Sequence, residues 1–178
     1  MRIALSGVQC TGKTTILEEM KKCKEFEKFT FVKECIRDLQ KKGILINEQG
    51  NDETQLAIMN VHIANLSNDN CVFDRCVLDC VSYAKYSLKH GKITEKTYNE
   101  CVNCFNEFID CYDYLVYLVP EFKMIDDGTR STNEEFRNEV KCYFDEFIKD
   151  IEKNHDIKVI RLHGTVKERM EQLLEGIF

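Results

Sequence analysis

Residues 7–15 read GVQCTGKTT and follow the apolar run Ile3-Ala4-Leu5 with only Ser6 between. Gly7, Gly12, Lys13 and Thr14 occupy every fixed position of the pattern G-x-x-x-x-G-K-[ST]. Such a loop curls its backbone N–H groups around a phosphate, and the helix that follows aims its positive end at the same place. Lys13 is expected to reach the terminal phosphoryl oxygens, and the Thr14 hydroxyl to sit on Mg²⁺. Cys10, Thr11 and Thr15 complete the expected nucleotide-binding set. The flanks agree with the motif: a short strand ends on Gly7, and Ile16, Leu17 and Met20 repeat at the spacing of one helix face.

Outward from this loop, short apolar runs alternate with longer helical patterns. Strands are expected at residues 2–7 (RIALSG), 28–34 (KFTFVKE), 71–74 (CVFD), 114–119 (YLVYLV) and 157–162 (IKVIRL). Helical patterns lie between them. One, over 51–70, places Leu56, Met59, Ile63 and Leu66 along a single stripe. Two more fill 77–110, with Thr94 as cap of the second; another runs from Asn133 to Lys153, and a last over 165–178. Strands separated by helices make βαβ units and a mostly parallel sheet covered on both faces. With one proline and eight glycines, nothing reads as a linker, so 1–178 is expected to be a single α/β domain.

The net charge is −6, with 31 acidic against 25 basic residues and no basic stripe. That balance disfavours general nucleic-acid binding, which rests on neutralising phosphates. No leader precedes the loop, and no apolar run approaches the ~18 residues of a membrane span, so a cytoplasmic location is expected. The ten cysteines are then free thiols. Cys76, Cys80, Cys101, Cys104 and Cys111 lie at helical spacings that fit core packing better than structural zinc, since neither a second C-x-x-C pair nor a suitably placed His accompanies them.

Three further constellations suit phosphoryl transfer. Asp74 ends the third strand at the carboxyl edge of the sheet, where open α/β sheets bind ligands, and can help hold Mg²⁺; Arg75 beside it can pair with a substrate. Glu34 closes the second strand as a candidate base for an acceptor hydroxyl, with Arg37 one turn on to hold the acceptor. The polar stretch DDGTRSTNEEFR, within a lid of about 121–137, brings Arg130 and Arg137 to charge that spreads over a transferring phosphoryl group. Gln55, on the helix roofing the cleft, is a candidate reader of the acceptor's base. No guanine-reading N-K-x-D follows the fourth strand, which turns the reading from a switch GTPase toward a small kinase.

The phosphate loop, Glu34 with Arg37, FDR followed by LDCVSYAKY, DDGTR with FR, and the closing Gly164, Glu168 and Arg169 together resemble one family. It is the P-loop kinase domain of NAD-salvage proteins, the nicotinamide riboside kinase type, with its AAA-like relatives. The resemblance covers nearly the whole chain. It implies a three-layer P-loop sandwich with a five-stranded sheet ordered 2-3-1-4-5, ATP as donor, Mg²⁺ as cofactor, and Gly164 and Thr165 against the adenine. The adenylyltransferase domain found in bifunctional salvage proteins has no counterpart among these residues, and nothing in TQLAIMNVHIANL points to nicotinamide. The acceptor stays open among a nucleoside-like hydroxyl, with nicotinamide riboside first, a nucleoside monophosphate, and a modified DNA base. A nucleotide sensor without transfer is the remaining alternative. The expected assembly is a monomer or homodimer.

Overall fold

The fold was analysed in a computed structural model, which describes residues 1–33, 36–67, 69–124 and 132–178, with Arg37 described by its backbone alone. Five parallel strands form one sheet: β1 (Arg2–Ser6), β2 (Thr30–Val32), β3 (Cys71–Asp74), β4 (Tyr114–Leu118) and β5 (Lys158–Leu162), in the order β2-β3-β1-β4-β5. The helices are α1 (Lys13–Met20), α2 (Ile36–Lys41), α3 (Asp52–Asn65), α4 (Val77–Lys89), α5 (Glu95–Phe108), α6 (Glu134–Asn154) and α7 (Val166–Ile177). The expected strand order is the observed one. β2 is shorter than the 28–34 pattern suggested, because as an edge strand it pairs only through Thr30, Phe31 and Val32.

Strand periodicity explains why both faces are covered. Along β1, Ile3 and Leu5 join α1 and α7 in one apolar layer with Ile16, Met20, Leu173 and Ile177. Ala4 turns the other way, into a layer with Val77, Leu78, Val81, Phe136, Val140 and Phe144 of α4 and α6. β4 alternates likewise, with Val116 and Leu118 on the first side and Leu115 and Tyr117 on the second. A parallel strand buried on both faces has to read as a continuous apolar run, and these do. In α6 the core residues Phe136, Val140, Phe144, Ile148 and Ile151 recur at helical spacing, while charges fill the outer face.

α4 is sandwiched between the sheet and α5. Val77 to Ser82 are all buried, and Cys80, Ala84, Ile93 and Cys101 form a small cluster on the side away from the sheet. Cys76, Cys80, Cys101 and Cys104 are thus buried, as core packing requires. Helix starts follow their capping residues. Asn51 and Thr54 cap α3 reciprocally, Thr94 accepts from Thr97 N at α5, and Thr165 with Glu168 closes α7.

The α3 stripe faces the core, but only part of it is fully buried. Leu66 is buried, but Leu56, Met59 and Ile63 are only half-buried, while Thr54, Gln55 and His62 lie fully inside. α3 packs chiefly on α4 and α5, and Met59, Ile63 and Leu66 join the apolar layer that includes Phe73 of β3. Its inner face also meets the hydroxyl of Ser87 and the backbone near Leu45, not a purely apolar layer.

α6 is tied to the end of α4 by Glu139, which accepts from Lys89 at 2.8 Å, from Tyr143 OH at 2.7 Å and lies 2.9 Å from His90 Nε2. Burial alone would raise its pKa, but these partners outweigh it and hold the carboxyl down at about 2. A carboxylate depressed in the folded state contributes stability above its ordinary value of 4.5 and loses it as pH falls toward 2. The stability gap between wild type and Glu139→Gln in urea titrations should therefore be full near neutrality and close through that acid window. A gap independent of pH would refute the assignment.

Candidate active site

The carboxyl ends of β1, β3, β4 and β5 meet where β1 is flanked by β3 on one side and β4 on the other, and the chain connection reverses there. The phosphate loop leaves β1 at this point. Gly7 has φ +139°, and a Cβ on it would stand 2.9 Å from the Leu118 carbonyl oxygen of β4, so no side chain fits. Gly12 caps α1 with φ +88°, turning the backbone into the helix. Lys13 is buried and donates to the carbonyls of Gly7 at 2.6 Å and Val8 at 2.8 Å. Thr14 and Thr15 are exposed at the first turn of α1, beside it.

On the β3 side, Asp74 pairs in register with Leu5 and is half-buried at the strand end. Arg75 follows with φ +79° and donates its N–H to the Leu5 carbonyl at 2.9 Å. Its side chain turns inward. Nη1 donates to Asp79 Oδ1 at 2.8 Å and to the Gly7 carbonyl at 3.4 Å. Asp79 is itself buried and accepts from Ser6 Oγ at 2.6 Å and Cys76 N at 3.1 Å. Burial, followed by the charge of Asp79, pushes the Cys76 thiol well up, which excludes a thiolate nucleophile there. Arg75, expected to pair with a substrate, thus also braces the loop against β3.

On the other side stands Arg169, with 1% of its surface exposed. Nη1 donates to the Thr11 carbonyl at 2.6 Å, Nη2 to the Val119 carbonyl at 3.1 Å and to Glu121 at 2.8 Å, and Nε to the Gly164 carbonyl at 3.0 Å. Glu121 also accepts from Gly164 N at 2.8 Å. The hydrogen bond from Arg169, then that from Gly164, holds the Glu121 carboxyl below its usual range. Gly164 and Thr165 therefore lie at the same edge as the loop. From α6, Arg137 donates to the carbonyls of Phe122 at 2.9 Å and Cys10 at 3.4 Å, so this expected site residue touches the phosphate loop directly.

Gln55 is 3% exposed; its Nε2 lies 3.4 Å from Ser87 Oγ, and its Oε1 is buried. Its amide is thus packed between α3 and α4. Glu34 and Arg130, the expected base and lid arginine, lie outside the described residues, as does the side chain of Arg37. Of the expected lid, residues 121–124 and 132–137 are described.

Asp79 and Arg169 were quoted among the sequence patterns without a role. Each carried a signal. Arg169 stands four residues before Leu173 and eight before Ile177, on the stripe that α7 buries. Asp79 lies between Leu78 and Cys80, inside a run that is otherwise apolar or small. A charge on a buried stripe requires partners that local sequence does not name.

For Mg²⁺, the Thr14 hydroxyl in the first turn of α1 and the Asp74 carboxylate at the end of β3 supply oxygen donors, the donor type that this hard cation takes. Among the described residues no helix is long and apolar enough to cross a membrane.

Comparison with known proteins places this geometry in context. A family model described as an AAA domain matches residues 2–169. Deoxyadenosine kinase from M. mycoides with bound dATP superposes with a TM-score of 0.71 at 19% identity, over 98% of this chain and 97% of that one. NadR protein in complex with NR gives 0.73 at 18% identity, over 98% of this chain and 50% of that one. YorR protein from Bacillus subtilis, in complex with phosphorylated GDP, gives 0.53 at 17%, over 98% and 94%. At these identities the likeness is one of fold. A search of curated proteins finds no match.

Asp79→Ala removes the acceptor that Ser6, Arg75 and the Cys76 N–H share. It should cost about 3 kcal/mol in urea unfolding, the scale for breaking a buried ion pair. The same change at Asp38, whose ion pair with Lys41 is exposed, should stay within about 0.5 kcal/mol. Equal effects would show that the buried network carries no special weight.

Proposed function

The chain belongs to the AAA domain family and has the P-loop kinase fold, and on that premise we propose that it is an ATP- and Mg²⁺-dependent kinase, folded as one domain over 1–178, that phosphorylates a hydroxyl of a nucleoside-like acceptor. The observation that carries the reading is the junction of the phosphate loop with the end of β3, where Asp74 stands in register with Leu5 two residues before Gly7. Nicotinamide riboside is the first candidate acceptor. The near-complete mutual coverage with deoxyadenosine kinase makes a deoxynucleoside the second.

In this reading the loop N–H groups and Lys13 bind the donor's terminal phosphates, which requires Lys13 Nζ to exchange its loop carbonyls for phosphoryl oxygens. Glu34 accepts the proton of the attacking hydroxyl, and Arg37 and Gln55 orient the acceptor. Arg130 and Arg137 counter charge on the transferring group, and the lid keeps water out. Thr14 and Asp74 would hold Mg²⁺, which when bound neutralises phosphate charge.

The test is a screen of ATP-dependent phosphorylation over nicotinamide riboside, the deoxynucleosides, nucleoside monophosphates and duplex DNA. A free nucleoside should be the preferred acceptor. Preference for a monophosphate or for duplex DNA would replace that acceptor class, and ATP binding without transfer to any of them would sink the kinase reading in favour of a nucleotide sensor. With the working acceptor, Lys13→Ala should lower kcat by roughly a hundredfold or more, the scale for losing a preorganised donor to developing charge.

A further inference from the structure

Phe122 follows β4 by four residues, and its ring is 42% exposed at the edge of the sheet where the phosphate loop lies. It is nonetheless held firmly. The Arg169 guanidinium carbon lies 4.6 Å from the ring centroid, and the Phe122 carbonyl accepts from Arg137 Nη1 at 2.9 Å. A Cβ on Gly12, the residue that caps α1, would stand 3.5 Å from Phe122 Cε2, so the ring borders the start of the helix that faces the phosphates. Val166, the first residue of α7 and also among the exposed large apolar side chains, follows the Gly164–Thr165 turn, whose Gly164 N–H bonds Glu121.

One arginine therefore lies over a partly exposed aromatic ring and a second holds its backbone beside the nucleotide loop, an arrangement that does little for the core. We propose that Phe122 is the platform on which the nucleobase of the phosphoryl donor stacks. This rests on the nucleotide-binding part of the reading above. Arg169 covers one part of the ring with positive charge and draws on its π-density, which favours stacking of an electron-rich base on the remainder. Val166 and the Gly164–Thr165 turn, at the end of β5, supply apolar and backbone contacts on the neighbouring side. Stacking recognises the face that every base has, so Phe122 favours a base-bearing triphosphate over a bare one without choosing between adenine and guanine.

The test compares ATP and inorganic tripolyphosphate, each with Mg²⁺, by calorimetry on the full chain without acceptor. Phe122→Ala should weaken ATP by about tenfold, the scale of an aromatic–base stack, while tripolyphosphate stays within about twofold; Phe122→Tyr should keep ATP affinity. Thermal unfolding of both variants checks that the loop is intact. Equal loss for both ligands, or no loss for ATP, would overturn the platform. A wild-type chain that binds the two ligands equally would also overturn it and leave the phosphate loop standing. If ATP binds as described but no acceptor is phosphorylated, the kinase reading fails and the platform survives.

Discussion

A guanidinium almost sealed from water ties three strand ends together. Arg169 reaches from α7 to the loop after β1, to the end of β4 and to the turn after β5. Burying such a charge costs several kcal/mol unless every N–H finds an acceptor. Here three backbone carbonyls and Glu121 take four hydrogen bonds from its five N–H groups, and the carboxylate is itself positioned by the Gly164 N–H. The carbonyls belong to segments that lack regular pairing at those points, so the arginine satisfies backbone groups that the sheet cannot. The phosphate loop can stay irregular because a side chain from the last helix completes its hydrogen bonding.

The other flank of β1 has a matching device of opposite polarity. Asp79 gathers Ser6, Arg75 and the start of α4, and Arg75 returns a bond to Gly7. The loop between Gly7 and Gly12 is therefore clamped by a buried arginine from each side, one arriving through β3 and one through α7. Both clamps bind carbonyl oxygens, which leaves the loop N–H groups for phosphate. A mobile loop would lose entropy on binding; a loop braced at both ends has lost much of it on folding.

The layout of the fold was plain in the sequence because it rests on local periodicity. Five apolar runs, a glycine-bounded loop and capping residues such as Thr94 and Thr165 each act within a few positions of themselves. Sheet order does not. Nothing in the five runs alone says which lies beside which, and the order 2-3-1-4-5 came only through the family likeness. The same divide separates the candidate residues that a local pattern marks from the contacts that no local pattern names. Lys13 and Asp74 are marked by a motif or a strand end. Arg169 and Thr11 are joined across 158 positions, and Ser6 and Asp79 across 73. On α3 hydropathy marks Met59, Ile63 and Leu66 but not the buried Thr54, Gln55 and His62, for a related reason: it assumes an apolar neighbour, whereas Gln55 meets Ser87 of another helix.

The division of labour among the cations follows from their acceptors. Arg169 and Arg75 are buried, so moving Arg169 toward a phosphoryl group would strand the carbonyls it holds, and moving Arg75 would leave the buried Asp79 carboxylate without its ion pair. Lys13 also bonds carbonyls, but it is a point charge on a flexible stem, attached to the loop that the ligand enters. Its donors can be handed to phosphate oxygens as those oxygens arrive, and the ligand replaces the charge compensation that the carbonyls gave. Arg137 is only half-buried and sits on the helix that leads out of the lid segment. In the kinase reading proposed above, charge on a transferring group falls to Lys13 and to the arginines of the expected lid. The two sealed arginines hold the frame in which those residues act.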